Sequence, residues 1–335
     1  MVPPKPRPAV GRSPTGVADP RGEPGGEDAI VAHLAQILGA ASGPAGPGEI
    51  WIGDDAAVVG APEGRLVLAT DAAVAGVHAD LSLVGLGDLG WKALTAAVSD
   101  VGAMGARPLQ ALVTLCAPFG TDLDALTAGM AEASARWACP VVGGDLSTAD
   151  QVVVSVAVSG VLEGPSPPVT RAGASPGDLI FVTGPLGGSA AGLRLLRGGG
   201  GTGDSGAEEA LVRAHRRPEA RLMEGVAARR AGAEAMIDVS DGLSIDLHRM
   251  ADASGVGFHL DSVPVAPGAT RDEALSGGED YELVVATTDP DALAAVYAEE
   301  GLRPPIVMGR CVADRGDRRL KGDPLPRTGW EHRLG

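Results

Sequence analysis

The chain is poor in aromatics, lysine and cysteine, and each shortage narrows what it can be. Aromatic residues are 3% of 335, although 44% are apolar, so the core has to be built from Ala, Val and Leu. Only three lysines occur, Lys5, Lys92 and Lys321, against 43 acidic residues and a net charge of −16. That balance argues against nucleic acid or anionic membrane as the main partner. Cys116, Cys139 and Cys311 are odd in number and lack CxxC spacing. They argue against a disulfide framework or zinc site and suit the reducing cytoplasm. No stretch reaches the roughly 18 uninterrupted apolar residues of a membrane span. The motifs G-x-x-x-x-G-K-[ST], H-R-D and D-F-G are absent, which disfavours P-loop and protein-kinase chemistry. GGGGTGDSG (198–206) contains G-x-G-x-x-G but follows the helix-like LRLLR, so it reads as a loop.

Acidic residues are plentiful, and they recur at the ends of apolar, glycine-flanked runs. These are WIGDDAAVV (51–59), LVLATDAAVAGVH (66–78), AVSDVGAMGA (97–106), VVGGDLST (141–148), IDVSDGL (237–243) and SGGEDYEL (276–283). Small flanking residues let backbone and ligand approach closely, and strand ends project carboxylates toward a shared crevice. Any one of Asp54, Asp55, Asp71, Asp100 and Asp145 is as well explained by a solvated turn. As a set they are not, because each follows or interrupts an apolar segment where a free charge is costly. Asp238 and Asp241 bracket Val239-Ser240, and Gly242 then opens a helix that can face a phosphate; an ordinary N-cap uses the same geometry. Pooled carboxylates with oxygen-only donors select hard cations such as Mg²⁺, commonly in the service of phosphate chemistry. The pattern points to a Mg-nucleotide enzyme.

Fifty glycines and 26 prolines imply many loops. The Pro/Gly/Arg-rich residues 1–26 read as a disordered leader. Helices are expected at 27–38, from an Asp88 N-cap to about 104, and at 123–138; strands at 56–59, 66–69, 109–116, 140–142 and 151–162. A proline-rich change of composition at 164–177 sets a domain boundary, giving domains 27–163 and 164–335. The second half alternates: strand 178–183, helices 189–197 and 219–230, strand 235–239, helix 243–254, strand 282–286, helix 290–299. Such alternation indicates mixed α/β (α+β) layers.

In this order, GDDAAVV, ATD…GVH, GWKALTAAVSDVGAMGA, VGGD, TRAGASPGDLIFVTGPLGGSAAGL, IDVSDGL, SGGEDYEL and a terminal GW-x-H resemble the thiamine-monophosphate kinases, of the superfamily that includes aminoimidazole ribonucleotide synthetase. The resemblance runs from about residue 27 to 330. It implies two α/β domains, the first dimerising through its sheet, with the site between domains and across that interface. The implied reaction is ATP-dependent phosphorylation of thiamine monophosphate. By motif position, Asp55, Thr70, Asp71, Asp100, Asp145, Asp238 and Asp241 correspond to magnesium ligands, with Asp71 and Asp241 central to catalysis. Gly144, Asp145, Arg171 and Ser240 correspond to ATP contacts, and His78, Glu279 and Trp330 to residues holding the thiamine phosphate. This chain departs from the pattern at Ala69, Ala79, Leu146 and the GWEHRLG ending. Purine-pathway and selenophosphate synthetases are the sister readings, although no Cys precedes Cys116. A nucleotide-binding relative without chemistry is a third.

Overall fold

The computed structural model describes residues 26–199 and 206–332. The expected leader, Gly26 apart, and most of the glycine-rich run at 198–206 lie outside these residues. A first sheet holds β1 (Arg65–Val74), β2 (Arg107–Ala117), β3 (Val141–Thr148) and β4 (Val153–Leu162) in the order β1-β4-β2-β3. Only β2 and β3 run parallel. Around it lie α1 (Glu27–Ser42), α2 (Leu86–Ala103) and α3 (Leu123–Trp137).

The second sheet has seven strands: β5 (Leu179–Val182), β6 (Ala235–Asp238), β7 (Gly257–Leu260), β8 (Leu283–Thr287), β9 (Ile306–Val312), β10 (Arg318–Leu320) and β11 (Asp323–Pro324). Their order is β11-β10-β7-β9-β5-β8-β6, antiparallel except between β7 and β10. With it go α4 (Gly188–Arg197), α5 (Gly206–Arg216), α6 (Leu222–Arg230), α7 (Leu243–Ser254), α8 (Arg271–Ser276) and α9 (Pro290–Glu299). The architecture is the expected mixture of helix and sheet.

β4 explains the first sheet. Its alternating Val154, Val156 and Val158 are buried on one face, where the period of two delivers them to a common core. Helix α2 covers that face with Leu94, Ala97, Val98 and Val101, all fully buried. The opposite face is uncovered: Leu66, Leu68 and Leu112 are 53%, 72% and 47% exposed.

The far side of α2 is also occupied. Trp91 Nε1 donates to the Pro218 carbonyl at 2.8 Å. A Cβ on Gly225 of α6 would sit 2.0 Å from the Gly102 carbonyl oxygen, so α2 and α6 cross backbone to backbone, which only glycine permits.

Several expected boundaries differ. No strand forms at 56–59; Val58 makes a single bridge to Ile50, because Gly53 (φ +122°) and the Asp54–Asp55 turn break the run. β1 continues past 69 through Thr70 and Asp71 to Val74, so Asp71 is paired with Val156 in mid-strand. β3 likewise extends beyond 142, and Asp145 stands beside Thr114. Gly85, not Asp88, is the N-cap of α2; Asp88 reaches back from the first turn to accept the Gly85 N–H at 3.2 Å.

Candidate active site

The best-furnished cleft lies between β1, α2 and the 277–281 loop, and is lined by Asp71, His78, Lys92, Ala96, Glu279 and Tyr281 among others. β1 supplies Asp71. Four residues beyond the strand, His78 folds back so that its Nδ1 accepts the Val74 N–H at 3.0 Å. The neutral ring therefore carries its proton on Nε2. Burial, and secondarily His332, hold the His78 pKa below its ordinary value.

On α2, Lys92, Ala96 and Asp100 follow at steps of four and share one face of the helix. Burial, reinforced by Asp238 and Asp71, pushes the Asp100 carboxyl up to about 7, with Arg171 opposing. Asp238 closes β6 in full burial, and desolvation raises its pKa as well. Ser99 Oγ donates to Asp238 Oδ2 at 2.7 Å. Asp100 thus responds to Asp238, Asp71 and Arg171, and Asp238 to Arg171, across the interface of the two halves.

The following turn, Val239–Gly242, carries Ser240 and Asp241, and its geometry is set by a residue that sequence reasoning missed. Asp246, in the first turn of α7 and 1% exposed, accepts three backbone N–H groups on Oδ2: Ser240 at 3.2 Å, Asp241 at 3.0 Å and Gly242 at 3.1 Å. Arg249 then bridges Asp246 Oδ1, at 2.7 Å, to Asp241 Oδ2, at 2.5 Å. An acid in the first turn of a helix is a recognisable signal, but its three partners are visible only in the fold.

The 277–281 loop is backed onto that turn. Glu279 N donates to the Ser240 carbonyl at 2.8 Å and Tyr281 N to Val239 at 2.9 Å. Both residues hold left-handed backbone, φ +66° and +50°, a conformation that persists where surrounding contacts over-determine it. The Glu279 side chain meets Lys92 Nζ at 2.7 Å and stands 3.7 Å from His215 Nδ1.

The C-terminal residues lie along the same edge. Ile245 N donates to the Thr328 carbonyl at 3.1 Å and Trp330 N to Asp241 at 2.9 Å. Trp330, 49% exposed, stands edge-on to His332 at 6.0 Å, and His332 lies 5.3 Å from His78. His332 belongs to the GW-x-H ending but had no expected role.

Other expected site residues are not gathered here. Thr70 alternates with Asp71 and so belongs to the opposite, uncovered face of β1. Asp55 is exposed in its loop, where its N–H donates to Asp54 at 2.8 Å. Gly144 and Asp145 line a second cavity of about 170 Å³, walled by α1, α3, β2 and β3, which shares no lining residue with the first. Among the described residues, no three His, Cys, Asp or Glu side chains converge into a ready metal centre.

Known proteins give this arrangement a class. The N-terminal domain of AIR synthase related protein matches residues 53–162, and its C-terminal domain matches residues 175–321. The chain is therefore a two-domain protein of the AIR synthase related class. Thiamine-monophosphate kinase from Corynebacterium glutamicum is 39% identical over 257 residues, 72% of this chain and 77% of that one. The structure of thiamine-monophosphate kinase from Stenotrophomonas maltophilia K279a superposes with a TM-score of 0.76 at 30% identity, covering 90% of this chain and 98% of that one. AaThiL complexed with AMPPCP and TMP gives 0.72 at 30% identity, covering 92% and 97%. The chain belongs to the thiamine-monophosphate kinase family.

Proposed function

We propose that the chain transfers a phosphoryl group from ATP to thiamine monophosphate, yielding thiamine diphosphate and ADP. The observation that carries this is the likeness to AaThiL, whose structure holds the ATP analogue AMPPCP together with TMP. A phosphate oxygen of thiamine monophosphate attacks the γ-phosphorus in line; the new O–P bond forms as the bond to the β-phosphate oxygen breaks. The nucleophile is already an anion, so no strong general base is needed, and positioning with charge neutralisation carries catalysis.

The donor set suits Mg²⁺. It is all oxygen, and the Asp100 carboxyl is raised first by burial and then by the like charges of Asp238 and Asp71, which a cation relieves. Asp71, Asp100, Asp238 and Asp241 would hold it at the cleft, and Asp55, Thr70 and Asp145, which lie apart from that cleft in one chain, would serve further Mg²⁺ ions; Asp71 and Asp241 are the catalytic pair. Bound there, Mg²⁺ neutralises phosphate charge. Gly144, Asp145, Arg171 and Ser240 contact ATP. His78, Glu279 and Trp330 hold the thiamine phosphate, with the Trp330 indole free to stack on an aromatic ring.

A homodimer accounts for the uncovered sheet face with Leu66, Leu68 and Leu112. A second copy there would also complete a site that one chain leaves divided. Three free cysteines suit a cytoplasmic protein. The test is incubation with Mg-ATP and thiamine monophosphate, followed by chromatographic separation of the thiamine species. Diphosphate formation that EDTA abolishes is the expected result. Folded, ATP-binding protein that yields no diphosphate overturns the reading.

A further inference from the structure

Lys92 has no part in the assignments above, yet it is the most conspicuous cation in the cleft. It is one of only three lysines, lies 3% exposed on α2 and lines the cleft itself. A buried ammonium is costly unless paired, and its one ion-pair partner among the described residues is Glu279, at 2.7 Å. The pairing is specific to an atom. Lys92 meets Glu279 Oε2, and His215 Nδ1 approaches the same Oε2 at 3.7 Å. His215, on α5, is itself fixed by Ser189 Oγ of α4 at 3.1 Å, and burial pushes its pKa down to about 3. Glu279 Oε1 has no protein partner among the described residues, and the Glu279 side chain stays 26% exposed at the cleft. One oxygen is therefore anchored and the other left for a ligand.

We infer that Lys92 is a positioning residue for substrate recognition: by tying down Glu279 Oε2 it aims Oε1 at an N–H or O–H donor of the bound thiamine phosphate. The inference rests on the function proposed above. Lys92 does not touch the transferred phosphate; its effect passes through Glu279, held at a backbone conformation that leaves the side chain few other orientations. His215 and Ser189 back the pair from the second half, so recognition is shared between the halves.

The experiment compares wild type, Lys92→Met, Glu279→Gln and the double variant. The readouts are calorimetric affinity for thiamine monophosphate, its KM and kcat, and the KM for ATP. Lys92→Met is expected to weaken thiamine monophosphate binding and raise its KM about tenfold, the scale of direct pairwise couplings. The kcat at saturation and the KM for ATP should stay near wild type. The double variant should bind no more weakly than Glu279→Gln alone, since the lysine acts through that carboxylate. Lys92→Gln, which keeps a donor without the charge, should fall between wild type and Lys92→Met and stands in should Lys92→Met not fold. Wild-type affinity in Lys92→Met, or in Lys92→Gln where that stands in, overturns the inference, as do independent, multiplying effects in the double variant. Those outcomes in an active wild type leave the proposed reaction standing. A wild type that binds no thiamine monophosphate overturns both.

Discussion

Replacing Asp246 by Ala tests whether the Val239–Gly242 turn is held by one carboxylate. The side chain is 1% exposed and serves four donors: the N–H groups of Ser240, Asp241 and Gly242, and the Arg249 guanidinium. Hydrogen bonds to a charged group are worth roughly 1.5–3 kcal/mol, and a buried donor left unsatisfied costs about 1–3 kcal/mol. A simple sum overstates the loss, because water can enter the vacated space and Arg249 keeps Asp241. Removing one member of a buried ionic network typically costs about 3–5 kcal/mol, and we expect that range. With a urea m value of about 3 kcal/mol/M, the unfolding midpoint should fall by roughly 1–1.7 M. Turnover should drop about 100-fold beyond any loss of folded protein, since a misplacement of about 1 Å in a reacting geometry has that effect. Asp246→Asn, which keeps one acceptor, should lie between. A midpoint and kcat indistinguishable from wild type in Asp246→Ala would refute the reasoning.

Gly144→Ala should damage the ATP side of the site, because the added methyl would lie 1.9 Å from the Val113 carbonyl oxygen on the neighbouring strand. Overpacking of this kind costs about 1–3 kcal/mol, read as a lower unfolding midpoint together with a raised KM for ATP. Leu68→Asp places a charge on a position 72% exposed on the edge strand β1 of the uncovered sheet face. Sedimentation should then report a monomer where wild type is a dimer; a wild type that is already monomeric removes the proposed interface. Asp280 sets a pH dependence: burial raises its carboxyl from 3.8 to about 7 although Gly187 and Ser189 donate to it. A group raised in the folded state contributes stability that is full below pH 3.8 and is lost as pH rises through 7. The unfolding free energy from urea titrations in EDTA should therefore fall from pH 5 to pH 8 by about 2–3 kcal/mol more in wild type than in Asp280→Asn.

Legibility in the sequence followed how local the determining forces are. α2 and β4 were readable because their burial pattern lies in their own residues: a helical stripe through Leu94, Val98 and Val101, and a valine run at period two. The strands β7, β9, β10 and β11 and helices α5 and α8 raised no expectation. They are short, or carry Gly, Arg and Asp within them, and are stabilised by neighbours distant in the chain. Phe258, for instance, is fully buried only because β9 and β10 flank its strand. Extending β1 and β3 turned on pairing with β4 and β2, which carries the strands through charged Asp71 and Asp145. Of the acidic motif residues, Asp71 and Glu279 line the cleft, and Asp238 and Asp71 help raise the Asp100 carboxyl beside it. Lys92, Asp246 and His215 went unread, because a charge on a helix reads as a solvated face until the fold supplies the partner.

Helix α2 has no side left for water along much of its length. Leu94 and Val98 belong to the core beneath the first sheet, while Ala103 packs in a core with Met236, Leu283 and Tyr297 of the second half. Trp91, Lys92, Ser99 and Gly102 are spoken for by Pro218, Glu279, Asp238 and Gly225. One rod thus serves as an inner wall for two compartments. Melting either compartment exposes an apolar flank of the other, so calorimetry should record one shared endotherm in place of two. A fragment cut between the sheets would inherit a raw hydrophobic seam, prone to aggregate.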